Sequence, residues 1–353
     1  MASMRNQLGQ TYEEKNLKWE GGVVPLLVQI VPLAKEKVML EAVTFAIFNV
    51  LTESVQNVSL AAKAGAAKAL SDACKDKSLL VQTYAALSIA ILATDGAETR
   101  QAAVAAGAMK NLTLIAAAAD TDDVIAKQGV NKQIAYTVNK RQESAATALR
   151  TLACEPPAKA SAVDNGCIKT LVTLMAGSTE VKTHEECAHA LFLLVTDPVN
   201  RSPLIQCGGL PPLVSILNSS NSEHAKTMSA ATIKELSKER PLRVPVRKAR
   251  SIPALVKLCS QGKTPVAHEQ ATAALVELAN ELGESCDMTI NLPKQFPSHC
   301  LKVKLVGLMV TKACPSPSLP SFLSPFPSFP CLPSALSILL FFGTNPVENP
   351  GDS

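Results

Sequence analysis

Apolar and small residues return along this chain with a helical step. At six places a quartet at positions 1, 4, 5 and 8 is apolar or small. The quartets are Val43/Ala46/Ile47/Val50, Ala85/Ser88/Ile89/Leu92, Ala145/Ala148/Leu149/Leu152, Cys187/Ala190/Leu191/Leu194, Ser229/Thr232/Ile233/Leu236 and Ala271/Ala274/Leu275/Leu278. Steps of three and four place each quartet on one stripe of an α-helix. Small side chains at the first two sites admit a neighbouring helix closely, and larger ones at the last two fill the gap. The stripe is therefore predicted to face other helices rather than water.

A second phrase precedes each quartet: a small residue, a short apolar stretch, and Leu five positions on. It reads Gly21 to Leu26, Gly65 to Leu70, Gly107 to Leu112, Gly166 to Leu171, Gly208 to Leu213 and, with Arg in place of Gly, Arg250 to Leu255. The leucines lie 44, 42, 59, 42 and 42 residues apart. A third mark is a cation seven residues before the small residue: Arg100, Lys159, Arg201 and Arg243, with Val58 the exception. It is placed to meet the end of a preceding helix, where the dipole favours positive charge. Glycine ends one helix and proline is tolerated in the first turn of the next, so each unit reads as a short helix, a break, a helix and a longer striped helix. A period near 42 built this way predicts an all-α solenoid of about six repeats, each burying its apolar face only against its neighbours.

The pattern Gly-x-Ile-Pro-x-Leu-Val-x-Leu followed by Ala-x-x-Ala-Leu-x-x-Leu resembles the armadillo repeat. It is carried best by Gly208–Leu217 with Ser229–Leu236 and by Ser251–Leu258 with Ala271–Leu278. The resemblance spans residues 20–283, with residues 1–19 as a lead-in, and implies a right-handed α-solenoid (superhelix). The spacing of 59 marks an insertion at 120–140, between the second and third helices of the third repeat. Beyond 283 the register is lost. Residues 293–353 hold 11 of the 23 prolines and 6 of the 9 phenylalanines, and no charge falls between Lys312 and Glu348. Proline this dense opposes helix and strand, so 284–353 is read as a Pro/Ser/Phe-rich irregular tail. Its apolar run Ala335–Phe342 is too short to span a bilayer.

Composition narrows the function. With 47% hydrophobic and only 4% aromatic residues, the core is predicted to be aliphatic and closely packed. A net charge of +4 does not call for nucleic acid. The ten cysteines include no Cys-x-x-Cys pair and no secretory leader is evident, so buried reduced thiols in a cytoplasmic protein are expected, with the nucleus left open. The histidines of His184-Glu-Glu-Cys-Ala-His189 stand five apart, one too many for a zinc-binding helix face. No phosphate loop or nucleophile elbow occurs. Neither a cofactor nor a metal is expected, and the chain is read as a non-catalytic scaffold for protein partners. The alternatives are a substrate-recruiting subunit of a ubiquitin-ligase or chaperone complex, and a membrane-associated adaptor.

The armadillo resemblance implies a groove lined by third helices. In importin-like and catenin-like members, an Asn before the last stripe Leu holds ligand backbone, often with a Trp one turn earlier. The corresponding residues are Asn49, Ile91, Thr151, Leu193, Glu235 and Glu277, and one turn earlier Phe45, Leu87, Thr147, His189, Ala231 and Ala273. One Asn and no Trp argue against a nuclear-import receptor. A further turn back lie Glu41, Thr83, Glu143, Glu185, Thr227 and Glu269, a broken acidic row suited either to helix dipoles or to a basic partner segment. The basic stretch Lys238–Arg250, with Arg243, Arg247, Lys248 and Arg250, is read as an inter-repeat loop or as a patch for an acidic surface. Candidate partner-binding residues are thus Glu41, Phe45, Asn49, Glu143, Glu185, His189, Glu235, Glu269, Arg243, Arg247, Lys248 and Arg250. The oligomeric state is left open.

Overall fold

A computed structural model describes residues 22–118 and 132–279, together with two strand fragments at 288–289 and 304–305. The expected lead-in at 1–19 lies outside the described residues. Six units stack in order. The first contributes α1 (Val23–Ile30), a 3-10 turn at Val31–Leu33 and α2 (Lys37–Glu53). The second contributes α3 (Val55–Lys63), α4 (Ala66–Ala73) and α5 (Leu79–Leu92), the third α6 (Ala97–Ala105), α7 (Ala108–Ala117) and α8 (Lys132–Leu152). Then come α9 (Pro156–Ala160), α10 (Cys167–Gly177) and α11 (Val181–Val195), followed by α12 (Arg201–Gln206), α13 (Leu210–Ser219) and α14 (Glu223–Ser237). The last unit is α15 (Arg240–Lys248), α16 (Ser251–Gln261) and α17 (Pro265–Ala279). Met288–Thr289 pairs antiparallel with Lys304–Leu305. The remainder of 280–353 falls outside the described residues.

The striped helices are α2, α5, α8, α11, α14 and α17, and the quartets of the last five are buried throughout. Each striped helix packs on the striped helix before and after it, more extensively than the second helices pack on one another. The more closely packed layer lies on the inside of the solenoid's curve, so the striped helices line its concave face.

The breaks behave as their residues require. Gly65, Gly107, Gly166 and Gly208 have φ of +81°, +79°, +69° and +76°. In each, the amide N–H bonds the carbonyl three residues back, as Gly208 does to Ile205 at 3.0 Å, and at Gly65, Gly107 and Gly208 this bond closes the preceding short helix. Arg250 occupies the same turn at φ +61° and makes the same bond, to Arg247 at 3.0 Å.

Three expectations need correction. Leu26 is 53% exposed whereas Leu70, Leu112, Leu171, Leu213 and Leu255 are fully buried. The residue that fills their place in the first unit is Val28, 3% exposed and 42 residues before Leu70, so the 44-residue spacing reflects a displaced leucine. The insertion is partly helical: residues 119–131 lie outside the described set, but α8 already starts at Lys132, where the 42-residue register with α11 would start it at 139. Finally, Lys238–Arg250 is not an open loop but largely the helix α15, which buries Leu242, Arg243 and Val246.

Candidate protein-binding face

The inner face is built from the third helices, and most of its polar side chains are committed to one another across repeats. Three recurring bonds do this. The first ties the acidic row to the next unit: the Ser78 hydroxyl donates to Glu41, and the Ser222 hydroxyl donates to Glu185 at 2.6 Å. Both pairs are 37 residues apart. Glu143 instead takes Lys140 at 2.9 Å, and Lys182 also reaches Glu185 at 3.2 Å. Glu269 remains exposed.

The second bond uses the recurring cations, and it is more specific than a dipole effect. The Arg100 guanidinium donates to the Ala93 carbonyl at 3.2 Å and to Glu155 of the next unit at 2.6 Å. Arg201 donates to the Val195 carbonyl at 3.1 Å and pairs with Glu235 and Glu239 at 3.3 and 3.0 Å. Arg243 donates to the Ser237 carbonyl at 2.6 Å and pairs with Glu277 at 3.5 Å. Each cation closes the carbonyl end of one third helix and pairs with an acid on, or just past, the next third helix. Lys159 makes a shorter version, donating to Thr196 Oγ1 at 2.9 Å.

The third bond links positions 36 apart, and its chemistry changes along the solenoid. Phe48 meets Tyr84 with ring centroids 5.6 Å apart, Arg150 pairs with Glu186, and Lys234 donates to Gln270 at 2.7 Å. Burial by itself would raise the Glu186 carboxyl, but the charges of Arg150 and Lys182 outweigh it and hold the group below its usual range.

These bonds change the standing of several predicted residues. Arg243 and Glu235 are each 6% exposed; with their charges already paired, both are staples between repeats rather than ligand contacts. Arg247 reaches back to the Leu278 carbonyl at 3.5 Å, whereas Lys248 and Arg250 are exposed. His189 faces His224 of the next unit, with Nδ1 and Nε2 3.3 Å apart and ring centroids 5.2 Å apart. Burial first, then the neighbouring charges of Arg150 and His224, push His189 down to about 4. His224 is lowered too, chiefly by burial. Among the described residues no three His, Cys, Asp or Glu side chains converge to hold a metal ion. The six described cysteines are unbridged, and burial pushes the Cys74 and Cys167 thiols up to about 12.

One residue was missed. Arg141 is fully buried at a position held by Val81, Thr183, Ala225 and Ala267 in other repeats. It donates to the Ala118 carbonyl at 2.9 Å and to Gln82 at 3.2 Å, fastening the end of α7 to the inner layer. An Arg at a position otherwise small or apolar is the signal that could have found it.

The first two units look different. Val38, Ala42, Phe45 and Asn49 follow one another at steps of four, three and four on α2, and the first three are exposed. Leu80 and Tyr84 continue the surface on α5, with the Phe45 and Tyr84 rings 4.9 Å apart. Beside them an open depression of about 450 Å³ is lined by Lys37, Lys75, Asp76, Lys77 and Ser78.

Residues 197–238, running from the turn before α12 through α14, match the family model of the Armadillo/beta-catenin-like repeat. The fold is an armadillo solenoid. A designed armadillo repeat protein superimposes with a TM-score of 0.60 at 20% identity, covering 72% of this chain and 100% of its own. A second designed armadillo protein, solved in complex with the peptide (KR)4, gives 0.59 at 20% identity over 73% of this chain and 100% of its own. A structure from work on a phosphorylation switch in the interaction between cadherin and beta-catenin gives 0.63 at 15% identity, covering 77% of this chain and 47% of its own. A search of curated proteins finds no match to the sequence.

Within this armadillo frame, the inner-face Asn position is filled by Asn49 alone. The buried Ile91, Thr151 and Glu235 stand at three equivalent sites, and Glu235 accepts from Lys238 at 2.7 Å instead of awaiting a ligand backbone.

Proposed function

We propose that this chain is a scaffold that binds protein partners, holding an extended partner segment along the concave layer of third helices. The observation that supports this is the division of labour in that layer. Its repeat-to-repeat polar groups satisfy one another and make a stiff surface, while exposed apolar groups and an amide stand on the same surface in the first units. Stiffness lowers the ordering cost of binding, so area is converted into affinity more efficiently.

The peptide carried by one designed neighbour is basic. In this chain Glu41, Glu143 and Glu185 are already engaged by serines and lysines, which leaves Glu269 as the exposed acid of the row. The reading here is therefore of a peptide-binding face, without preference for a basic ligand.

Capture of partners from cell lysate by the full chain, followed by lysine crosslinking and mass spectrometry, tests it. Crosslinks should concentrate on Lys37, Lys140, Lys182 and Lys238 at the third helices. A pattern restricted to Lys110 and Lys169, which are exposed on the second helices α7 and α10, would show that partners use the outer face and overturn the reading.

A further inference from the structure

We propose that His189 and His224 form a two-imidazole site for a divalent metal ion of the zinc class, set on the inner face between the fourth and fifth repeats. The inference stands on the geometry of this pair and does not depend on the scaffold reading.

Along the sequence His189 has His184 as its neighbour, five residues away and out of line on one helix. The fold gives it a different partner, 35 residues on. His189 on α11 and His224 in the first turn of α14 face each other, with Nδ1 of one and Nε2 of the other 3.3 Å apart. That is long beside the roughly 2.7–3.2 Å of an ordinary N–H···O bond. It is the separation of two ligand atoms on one metal. An ion about 2.05 Å from both nitrogens, the usual Zn–N distance, makes an angle of about 107° with them, close to tetrahedral, and lies about 1.2 Å off the line joining them. The rings are tilted 67° to each other. A turn of each about its Cβ–Cγ bond, a soft torsion, aims both lone pairs at that point.

The backbones hold the two rings in register. The Ser222 hydroxyl caps α14 by accepting the Ala225 N–H at 3.1 Å, and it donates to Glu185 at 2.6 Å. Glu185 is one helical turn before His189 and Ser222 is two residues before His224, so this bond sets the pair. Ligands positioned in advance lose less freedom on binding. Both oxygens of Glu185 are engaged, one by Ser222 and the other by Lys182 at 3.2 Å. Among the described residues no third side chain converges with the histidines, so the protein supplies two ligands and water supplies the rest, on the side where His224 is exposed.

Imidazole nitrogen suits zinc, copper and nickel, whereas magnesium and calcium take oxygen. The near-tetrahedral angle favours zinc over the square-planar arrangements of copper and nickel. Burial lowers both imidazoles from their ordinary value, so both are neutral at pH 7 and a metal has no charging proton to displace. The ring that donates the shared N–H has only to change tautomer. Around the pair, Glu185 and Glu186 offset Lys182 and Arg150, so a dication meets little net repulsion.

The test is titration of the full chain with Co(II), a zinc substitute whose visible absorption is strong in a tetrahedral site and weak in water. One equivalent should produce that absorption, Zn(II) should displace it and Mg(II) should not. His224→Gln, at an exposed position, and His189→Gln should each weaken binding by at least about tenfold. His184→Gln, whose parent ring is held by the Ser178 carbonyl at 2.8 Å, should change nothing. Circular dichroism should show each variant folded. Zn(II) should also raise the melting temperature of the parent but not of the His189→Gln/His224→Gln double variant, because an ion bound only by the folded chain stabilises it.

Absorption of equal strength in the parent and both histidine variants places the ion elsewhere, on thiols if alkylation removes it, and overturns the site. Absence of tetrahedral absorption below about 1 mM Co(II) also overturns it, leaving adventitious binding only. Neither result touches the scaffold reading, which is judged by crosslinks on Lys140, Lys182 and Lys238.

Discussion

The first two repeats and the last three share one backbone plan and use it differently. In the last three, each third helix is joined to the next by ion pairs or by a charged donor. Arg201 holds Glu235 and Glu239, Arg243 holds Glu277, and Lys234 holds Gln270. In the first two, the equivalent 36-residue link is Phe48 on Tyr84, and the surface beside it is apolar and open. Val58 stands where the later repeats carry their clamping cation, buried at 4% exposure. The shared core sets the solenoid, and the residues between rungs decide whether a stretch of it is sealed against itself or left for a ligand.

The largest effect that can sharpen this contrast is in the core. Leu213→Ala empties a fully buried site and should cost about 2–5 kcal/mol. Leu26→Ala, at the same place in the sequence phrase, touches a side chain that is mostly in water and should change stability by less than about 0.5 kcal/mol. Urea midpoints of the two variants decide it. A comparable loss at Leu26 would mean that another part of the chain covers the first unit.

Next comes the polar clamp. Arg201→Leu leaves Glu235 buried with one fewer cation. The usual cost of removing one member of a buried pair is about 3–5 kcal/mol, and here Lys238, 2.7 Å from Glu235, should hold it to the low end. Its N-terminal counterpart, Tyr84→Leu, forfeits ring contacts worth about 0.5–1.5 kcal/mol. Equal losses would erase the distinction between sealed and open repeats.

The sealed half should also carry a histidine pH signature, since the first two units contain no histidine. His189 and His224 touch across α11 and α14, with Glu185, Glu186, Lys182 and Arg150 around them. A folded value for His189 of about 4 lies below the usual 6.5, so the unfolded chain takes up the proton first as pH falls. This contribution is complete above about pH 7 and is lost between 6.5 and 4. Thermal melts of His189→Gln should decline less steeply across that window than the parent. Glu186, held low by Arg150 and Lys182 against its burial, acts in a different range: its contribution is present above its ordinary value of 4.5 and is lost as pH falls further. Parallel melting curves for parent and variant would remove the histidine pair as the cause.

The fold was legible because burial leaves a periodic trace. Every quartet from Ala85 onward is in the core, and Gly65, Gly107, Gly166 and Gly208 all take the left-handed turn their spacing implied. The binding face was less legible, for two physical reasons. A charged side chain is usually solvated, so Arg243 and Glu235 looked like ligand contacts, yet each is satisfied by a group about one repeat away. Such pairs are 34 to 38 residues apart, invisible to a helical step of three or four. A search for opposite charges at nearly one repeat length would have found Arg201 with Glu235 and Arg243 with Glu277. The first unit misled in the opposite sense, because Leu26 satisfied the phrase while Val28 filled the core.

The smallest effect tests the one break that is not glycine. Arg250 holds φ +61° where its four counterparts are Gly. A side chain in that region costs about 1–2 kcal/mol, and part of the relief in changing to Gly is offset by the greater freedom of Gly in the unfolded chain. Arg250→Gly should therefore stabilise the protein by about 0.5–1 kcal/mol, a rise readable in the urea midpoint. Arg250 also stands near Arg247 and Lys248 in sequence, and relief of like charge could raise stability by a separate route. Arg250→Ala separates the two: alanine keeps the β-carbon and its strain but removes the charge, so backbone strain predicts no gain for Ala and a gain for Gly. If both variants gain equally, the benefit comes from charge. The left-handed turn would then be borne without measurable cost, fixed by the packing of α15 against α16.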